Sequence, residues 1–282
     1  MLLLASRHAQ RNGMQATSVP ELQIVRATEP SEPLLAVQRP SLCFLVQGAK
    51  EVTVASKTYR YTAGEHLVST VDLPMTGEIV EASSRKPYYC LVVSLDPAIV
   101  QRVLEDGQLE VSDGARSGIF VGQPEPRLAD AALRLARCLD DERDCRVLAP
   151  SILREVVYRL LLGPYGATVR DLGVGGGRTQ RIARAIERLK SSFAEPLRTA
   201  ELAALSGMSP SSFHEHFKRI TTLSPLQYQK LLRLQEARRL LEQGNGAADV
   251  AFRVGYQSAS QFSREYARCF GLSPIRHRAT AP

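Results

Sequence analysis

Between residues 42 and 95, apolar residues come in short runs broken by glycine, proline or charge, which is the pattern of strands. Leu42-Cys43-Phe44-Leu45-Val46 runs up to Gly48, and Glu51-Val52-Thr53-Val54 alternates with the period of two expected of a half-buried strand. Tyr59-Arg60-Tyr61 stops at Gly64, residues 65 to 69 resume, and Glu78-Ile79-Val80 and residues 88 to 95 follow. Closely spaced strands with turn residues between them predict an antiparallel sandwich or small barrel. Beyond Pro97 the period lengthens. Ile99, Val100, Val103 and Leu104 share a helical face, as do Leu128, Ala131 and Leu135 within 127–139, and Ile152, Val156 and Leu160 within 147–162.

Gly163-Pro164-Tyr165-Gly166 breaks the last of these helices, and Gly173-Val174-Gly175-Gly176-Gly177 reads as a flexible connection. The predicted organisation is therefore a tail over 1–19, a barrel domain with appended helices over 20–165, a Gly-rich linker over 166–178 and an all-helical domain over 179–282. The fold class is α+β.

The helical domain repeats itself. Leu202-Ala203 with Gly207 recurs 48 residues later as Val250-Ala251 with Gly255, while Phe213, Phe217 and Leu223-Ser224-Pro225 recur 49 residues later as Phe262, Tyr266 and Leu272-Ser273-Pro274. One supersecondary unit is used twice. In the first, Ser209-Pro210 supplies an N-cap and a proline at the first helical position. Phe213 and Phe217, four apart, share the face that must bury, which turns Ser211, Ser212, His214 and Glu215 outward. In the second, Ser258 and Gln261 have capping-box spacing, Phe262 and Tyr266 point inward, and Ala259, Ser260, Gln261, Ser263 and Arg264 lie on exposed or flanking faces. A short helix held across a tight turn by its partner is a helix-turn-helix, whose second helix fits a DNA major groove. Ser224-Pro225 caps a helix running to Gly244, a rigid spacer of roughly 25 Å that sets the two readers near one turn of DNA apart.

Charge supports this reading. Residues 178–282 hold 17 Lys and Arg against 8 Asp and Glu, whereas residues 1–177 hold 19 against 21. The whole positive excess sits on the helical domain, the electrostatic footprint of a nucleic-acid binder. Lys218, Arg219 and Arg268 are the candidate phosphate contacts.

Met208-Ser209-Pro210-Ser211-Ser212-Phe213-His214, Arg233-Leu234-Gln235-Glu236-Ala237-Arg238-Arg239-Leu240-Leu241 and Val254-Gly255-Tyr256-Gln257-Ser258-Ala259-Ser260-Gln261-Phe262-Ser263-Arg264-Glu265-Tyr266 resemble the DNA-binding domain of the AraC/XylS family of bacterial transcription regulators. Pro40-Ser41-Leu42-Cys43-Phe44-Leu45-Val46-Gln47-Gly48, Tyr59, Tyr61, Gly64 and Val71-Asp72-Leu73-Pro74 resemble the cupin-like arm of one branch. The resemblance implies a signal-receiving barrel, a dimerising helical segment and a bipartite reader of two adjacent half-sites on double-stranded DNA. It implies a cytoplasmic homodimer acting as an activator, with RNA polymerase and a small effector among its partners. The first reading helix departs from the family in carrying short or acidic Ser211, Ser212 and Glu215, which leaves His214 as its main reader.

An effector in the barrel would meet Phe44, Val46, His66, Tyr88 and Leu91. The 42–46 strand is apolar on both faces, and a slip of one residue inverts the lining, so the inner face stays open at this point. A barrel that is filled by its own side chains and only dimerises is one alternative; a thiol response at Cys43 and Cys90 is another. The five cysteines contain no C-x-x-C pair, and His66 is the only barrel histidine, so neither a metal nor a cofactor is expected. No nucleophile with a base and no paired acids at a defined spacing suggest an enzyme. No apolar run is long enough to span a membrane.

Overall fold

The computed structural model describes residues 1–110 and 117–280; residues 111–116 of the predicted barrel domain and 281–282 of the helical one lie outside the described residues. The chain opens with a helix, α1 (Leu2–His8). It continues through β1 (Gly13–Ala16), β2 (Leu22–Ala27), β3 (Leu34–Gln38), β4 (Ser41–Gln47), β5 (Ala49–Val54), β6 (Lys57–Thr62), β7 (His66–Ser69), β8 (Leu73–Glu81) and β9 (Tyr88–Ser94). After α2 (Pro97–Gly107) comes β10 (Ile119–Gly122). The strands pair antiparallel into two sheets, one in the order β1-β2-β9-β4-β7-β10 and the other in the order β3-β8-β5-β6. β6 lies against β4, β7 and β10, so the sheets close on one another along that side.

The larger sheet is covered on both faces, which explains why β4 is apolar throughout. Cys43 and Leu45 point between the sheets, packing with Leu67, Cys90, Val92, Tyr61 and Met75. Leu42 and Phe44 point the opposite way, joining Val68, Leu91 and Val93 against Val100 of α2 and the helices α3 (Pro126–Cys138) and α5 (Ala149–Leu162), with α4 (Glu142–Val147) between these two. α3 buries Leu128, Ala131, Ala132 and Leu135, the stripe its sequence spacing predicts.

Two predicted boundaries differ. The 1–19 stretch read as a tail contributes α1, with Ala5 and Ala9 buried, and the edge strand β1. Within the predicted 166–178 linker lies another helix, α6 (Gly166–Gly173), which buries Val169 and Leu172. Gly166 serves close approach, since a Cβ there would stand 2.0 Å from the Leu161 carbonyl oxygen, whereas Gly175 and Gly176 lie in open space.

The rest is helical: α7 (Arg178–Ser191), α8 (Thr199–Leu205), α9 (Pro210–Thr221), α10 (Pro225–Glu242), α11 (Ala247–Arg253), α12 (Ala259–Phe270) and α13 (Pro274–Thr280). α10 alone spans 18 residues, about 27 Å, and carries a complete capping box in which Ser224 and Gln227 bond reciprocally. The expected architecture, a sheet-rich N-terminal domain and a helical C-terminal domain of two repeated units joined by a long helix, is the one observed.

The two domains pack directly. Gly118 N–H donates to the Ile220 carbonyl at 2.9 Å, Lys190 of α7 pairs with Asp72, and Leu35 of β3 joins the apolar cluster of Leu234 and Leu241 on α10.

Candidate nucleic-acid interface

Each repeated unit presents one short helix by anchoring its inner face. In the first, Phe213 and Phe217 are fully buried, and Phe217 meets Tyr228 of α10 edge-on at 5.5 Å. In the second, Phe262 and Tyr266 are buried, with Tyr256 against Phe262 at 5.3 Å. These aromatic anchors set the rotation of α9 and α12 about their axes, and so decide which residues face solvent.

The N-termini are built alike. Ser209 Oγ accepts the Ser212 N–H at 3.3 Å, and Ser258 Oγ accepts the Gln261 N–H at 3.3 Å. Gln261 does not close the predicted capping box. Its side-chain amide turns along the helix to donate to Glu265 at 3.1 Å. The turn before α12 depends on Gly255, whose φ is +91° and where a Cβ would come within 2.1 Å of the Ala194 carbonyl oxygen. Only glycine combines that backbone with that approach.

The predicted contact residues fall on the open side. Ser211, His214, Glu215 and Lys218 are exposed on α9, with Ser212 and Arg219 half-buried; Ala259, Ser260, Gln261, Arg264 and Arg268 are exposed on α12, with Ser263 half-buried. Their electrostatic states differ. Lys218, Arg264 and Arg268 make no ion pair among the described residues. Arg219 is committed, reaching Glu215 at 3.8 Å and bonding the His216 ring. α9 therefore partly neutralises itself, whereas the cations of α12 stand free.

Sequence reasoning missed Glu265. It accepts from Lys230 Nζ at 2.8 Å, from the Tyr256 hydroxyl at 3.0 Å and from Gln261, tying α10, the turn and α12 together. Burial raises its pKa, but these donors outweigh that and hold the carboxyl below the ordinary range. Arg233 was missed likewise. It donates to the carbonyls of Phe193 at 2.7 Å and Glu195 at 2.9 Å, and its guanidinium stacks 5.8 Å from the Tyr256 ring, binding α10 to the loop before α8. Burial lowers its pKa. The only sequence signal for Glu265 was an ion-capable residue next to the aromatic anchor Tyr266, and Arg233, between Leu232 and Leu234, carried none of that kind.

In the N-terminal domain the structure separates the residues read as one effector lining. Phe44 and Leu91 belong to the helix-facing core, and Val46 packs at its margin. Tyr88 lies between the sheets with Cys43 and Cys90. His66 pairs across from Phe44 and so shares the helix-facing side, edge-on to Phe120 at 6.3 Å. Its Nδ1 has no hydrogen-bond partner among the described residues, and burial draws its pKa down to about 4. Cys43 and Cys90 face the inter-sheet core from neighbouring strands, diagonal in the register. The Cys90 thiol draws the Cys43 thiol down against burial, aided by Lys50 and Ser41, while Cys90 itself is pushed up. Diagonal Cα atoms lie roughly 7–8 Å apart, at or beyond what a disulfide spans without backbone movement.

No group of three or more potential metal ligands occurs among the described residues, and no described helix is long and apolar enough to cross a membrane.

Comparison with known proteins gives matches across both domains. A family model described as the AraC-type transcriptional regulator N-terminus matches residues 18–168, and a helix-turn-helix domain model matches residues 202–280. The HTH-type transcriptional activator RhaS of Klebsiella pneumoniae (strain 342) is 33% identical over 95 residues, which are 33% of this chain and 34% of that protein. A probable thc operon regulatory protein of Rhodococcus erythropolis is 29% identical over 102 residues, 35% of this chain and 31% of that one. The chain thus spans about a third of the length of these curated relatives. ToxT from Vibrio cholerae O395, solved with (E)-4-(8-methylnaphthalen-1-yl)but-3-enoic acid, is similar in fold, with a TM-score of 0.56 at 10% identity over 93% of this chain and 98% of that one.

Proposed function

The chain belongs to the AraC-type transcriptional regulators, and from that premise we propose that it binds two adjacent major-groove half-sites of duplex DNA through α9 and α12 and activates transcription as a homodimer in response to a small effector. One observation carries the reading: α12 has a capped N-terminus, an aromatic inner face, and Gln261, Arg264 and Arg268 on its open face with both arginines uncommitted. Arg264 reads a base edge, for which guanidinium is suited by its bidentate fork, and Arg268 and Lys218 take phosphates. α9, with His214 as its reader and Arg219 partly neutralised by Glu215, supplies the weaker half-site.

An effector must change the relation between the domains if it is to reach the readers. A cavity of about 370 Å³ lies where β3 meets α10, floored by Leu34, Leu35, Phe193 and Leu232 and edged by Lys190 and Arg239. A ligand there touches both domains at once. ToxT has also been solved with an unsaturated fatty acid bound, and an amphipathic small molecule suits this cavity's apolar floor and charged edge, where Arg239 pairs with Glu236 and Lys190 with Asp72.

A gel-shift titration of the full chain at 50 and about 200 mM salt tests the DNA reading, since several phosphate contacts imply a loss of orders of magnitude in affinity over that range. Absence of duplex binding at the lower salt would falsify it.

A further inference from the structure

A cavity of about 470 Å³ opens in the N-terminal domain between the β1–β2 connection, α2 and the α4–α5 turn, sharing no residue with the interdomain cavity. Its floor is apolar, with Val19 and Leu153 buried and Ile99 half-buried. Arg102, Arg146 and Arg154 stand around it, together with Glu21. Two of the three cations are engaged: Arg154 pairs with Asp106, and Arg146 lies 3.5 Å from Glu142. Arg102 makes no ion pair among the described residues.

We infer that this cavity binds a small monocarboxylate with an apolar body, its carboxylate on Arg102 and its hydrocarbon against Val19, Ile99 and Leu153. The volume falls in the range of roughly 300–1,000 Å³ typical of small-molecule sites. A guanidinium fork takes a carboxylate through two parallel N–H donors, which a neutral ligand cannot match. The charge balance sets the ligand's valence. With Arg102 as the one uncommitted cation and Glu21 alongside, a polyanion such as a nucleotide is opposed, and Arg102 likewise opposes a cation. An inorganic anion alone would leave the apolar floor wet, so the hydrocarbon is as much a part of the recognition as the charge.

The test uses the full chain and no DNA, so its outcome does not depend on the proposed DNA reading. Equilibrium dialysis with 3-phenylpropanoate and its neutral amide should show the acid binding at least tenfold more tightly. Arg102→Glu, at an exposed position, should weaken the acid by at least tenfold, and Ile99→Trp should do the same by filling the floor. Because the chain has no tryptophan, that substitution also supplies a fluorescent report that the variant is folded. Arg85→Glu, an exposed site outside both cavities, should leave the affinity unchanged. Equal binding of acid and amide, no binding of the acid in the millimolar range, or acid binding that survives both Arg102→Glu and Ile99→Trp, as it would if the interdomain cavity held it, would overturn the assignment. The acid–amide comparison needs no variant, so a misfolded substitution cannot leave the matter open.

Discussion

Tyr228 donates its hydroxyl to the backbone carbonyl of Asp72 at 2.6 Å, across the boundary between the two domains. The ring is fully buried against Phe217, so one side chain anchors α9 and fastens the barrel to α10. The same Asp72 holds Lys190 of α7 by its carboxylate. Tyr228→Phe keeps the ring and leaves the Asp72 carbonyl unpaired, which should cost about 1–3 kcal/mol. Urea unfolding checks the loss. An unchanged midpoint would mean that water replaces the hydroxyl and the bond adds nothing to the docking.

At the DNA face, the two classes of contact separate by experiment. Arg264→Ala should lose about 1–3 kcal/mol of discrimination at one position of one half-site, whereas Lys218→Ala should weaken all sequences alike and lower the salt slope by about 1. His214→Ala should act on the other half-site and more weakly. Binding-site selection with each variant reads all three effects. Uniform weakening from Arg264→Ala would make it a phosphate contact.

His66 links stability to pH. Folded, it stays neutral down to about pH 4; unfolded, it takes a proton near 6.5. Between those values the unfolded chain binds more protons, so stability is full above pH 6.5 and is lost as pH falls toward 4, by on the order of 3 kcal/mol. His66→Phe suits the apolar neighbours and should flatten this part of the pH profile. Thermal melts from pH 4 to 8 compare the two proteins, and parallel profiles would show that another group carries the acid sensitivity.

Val147 and Leu148 are 70% and 46% exposed at the junction of α4 and α5, an apolar pair that this chain alone leaves in water. If the homodimer forms on this face, Val147→Glu should shift the full chain to monomer in analytical ultracentrifugation at tens of micromolar, with its melting temperature little changed. A dimer that survives the substitution would move the interface elsewhere.

Much of the reader was legible in the sequence because its information is local. Ser209-Pro210 and Ser258 start helices by their own backbone chemistry, and the i, i+4 spacing of Phe213 with Phe217 and Phe262 with Tyr266 assigns an inner face, so Arg264 and Lys218 are outward before any packing is known. Repetition at 48–49 residues added a check within the chain itself. The strands between residues 42 and 95 were readable for the same reason, though their faces were not, while β1, β2, β3 and β10 lie outside the run that the pattern marked. Alternation assigns a face only where one side meets water, and β4 meets apolar neighbours on both, with Cys43 and Leu45 against one sheet and Leu42 and Phe44 against the helices. Gly166 was legible as part of a helix break but not as a close approach, where the Leu161 carbonyl leaves no room for a Cβ. The roles of Glu265 and Arg233, and the bond from Tyr228 to Asp72, came only with the tertiary structure. Each joins residues on different elements, in the last case 156 positions apart, and such a pairing is set by how finished helices and sheets pack, which no local pattern encodes.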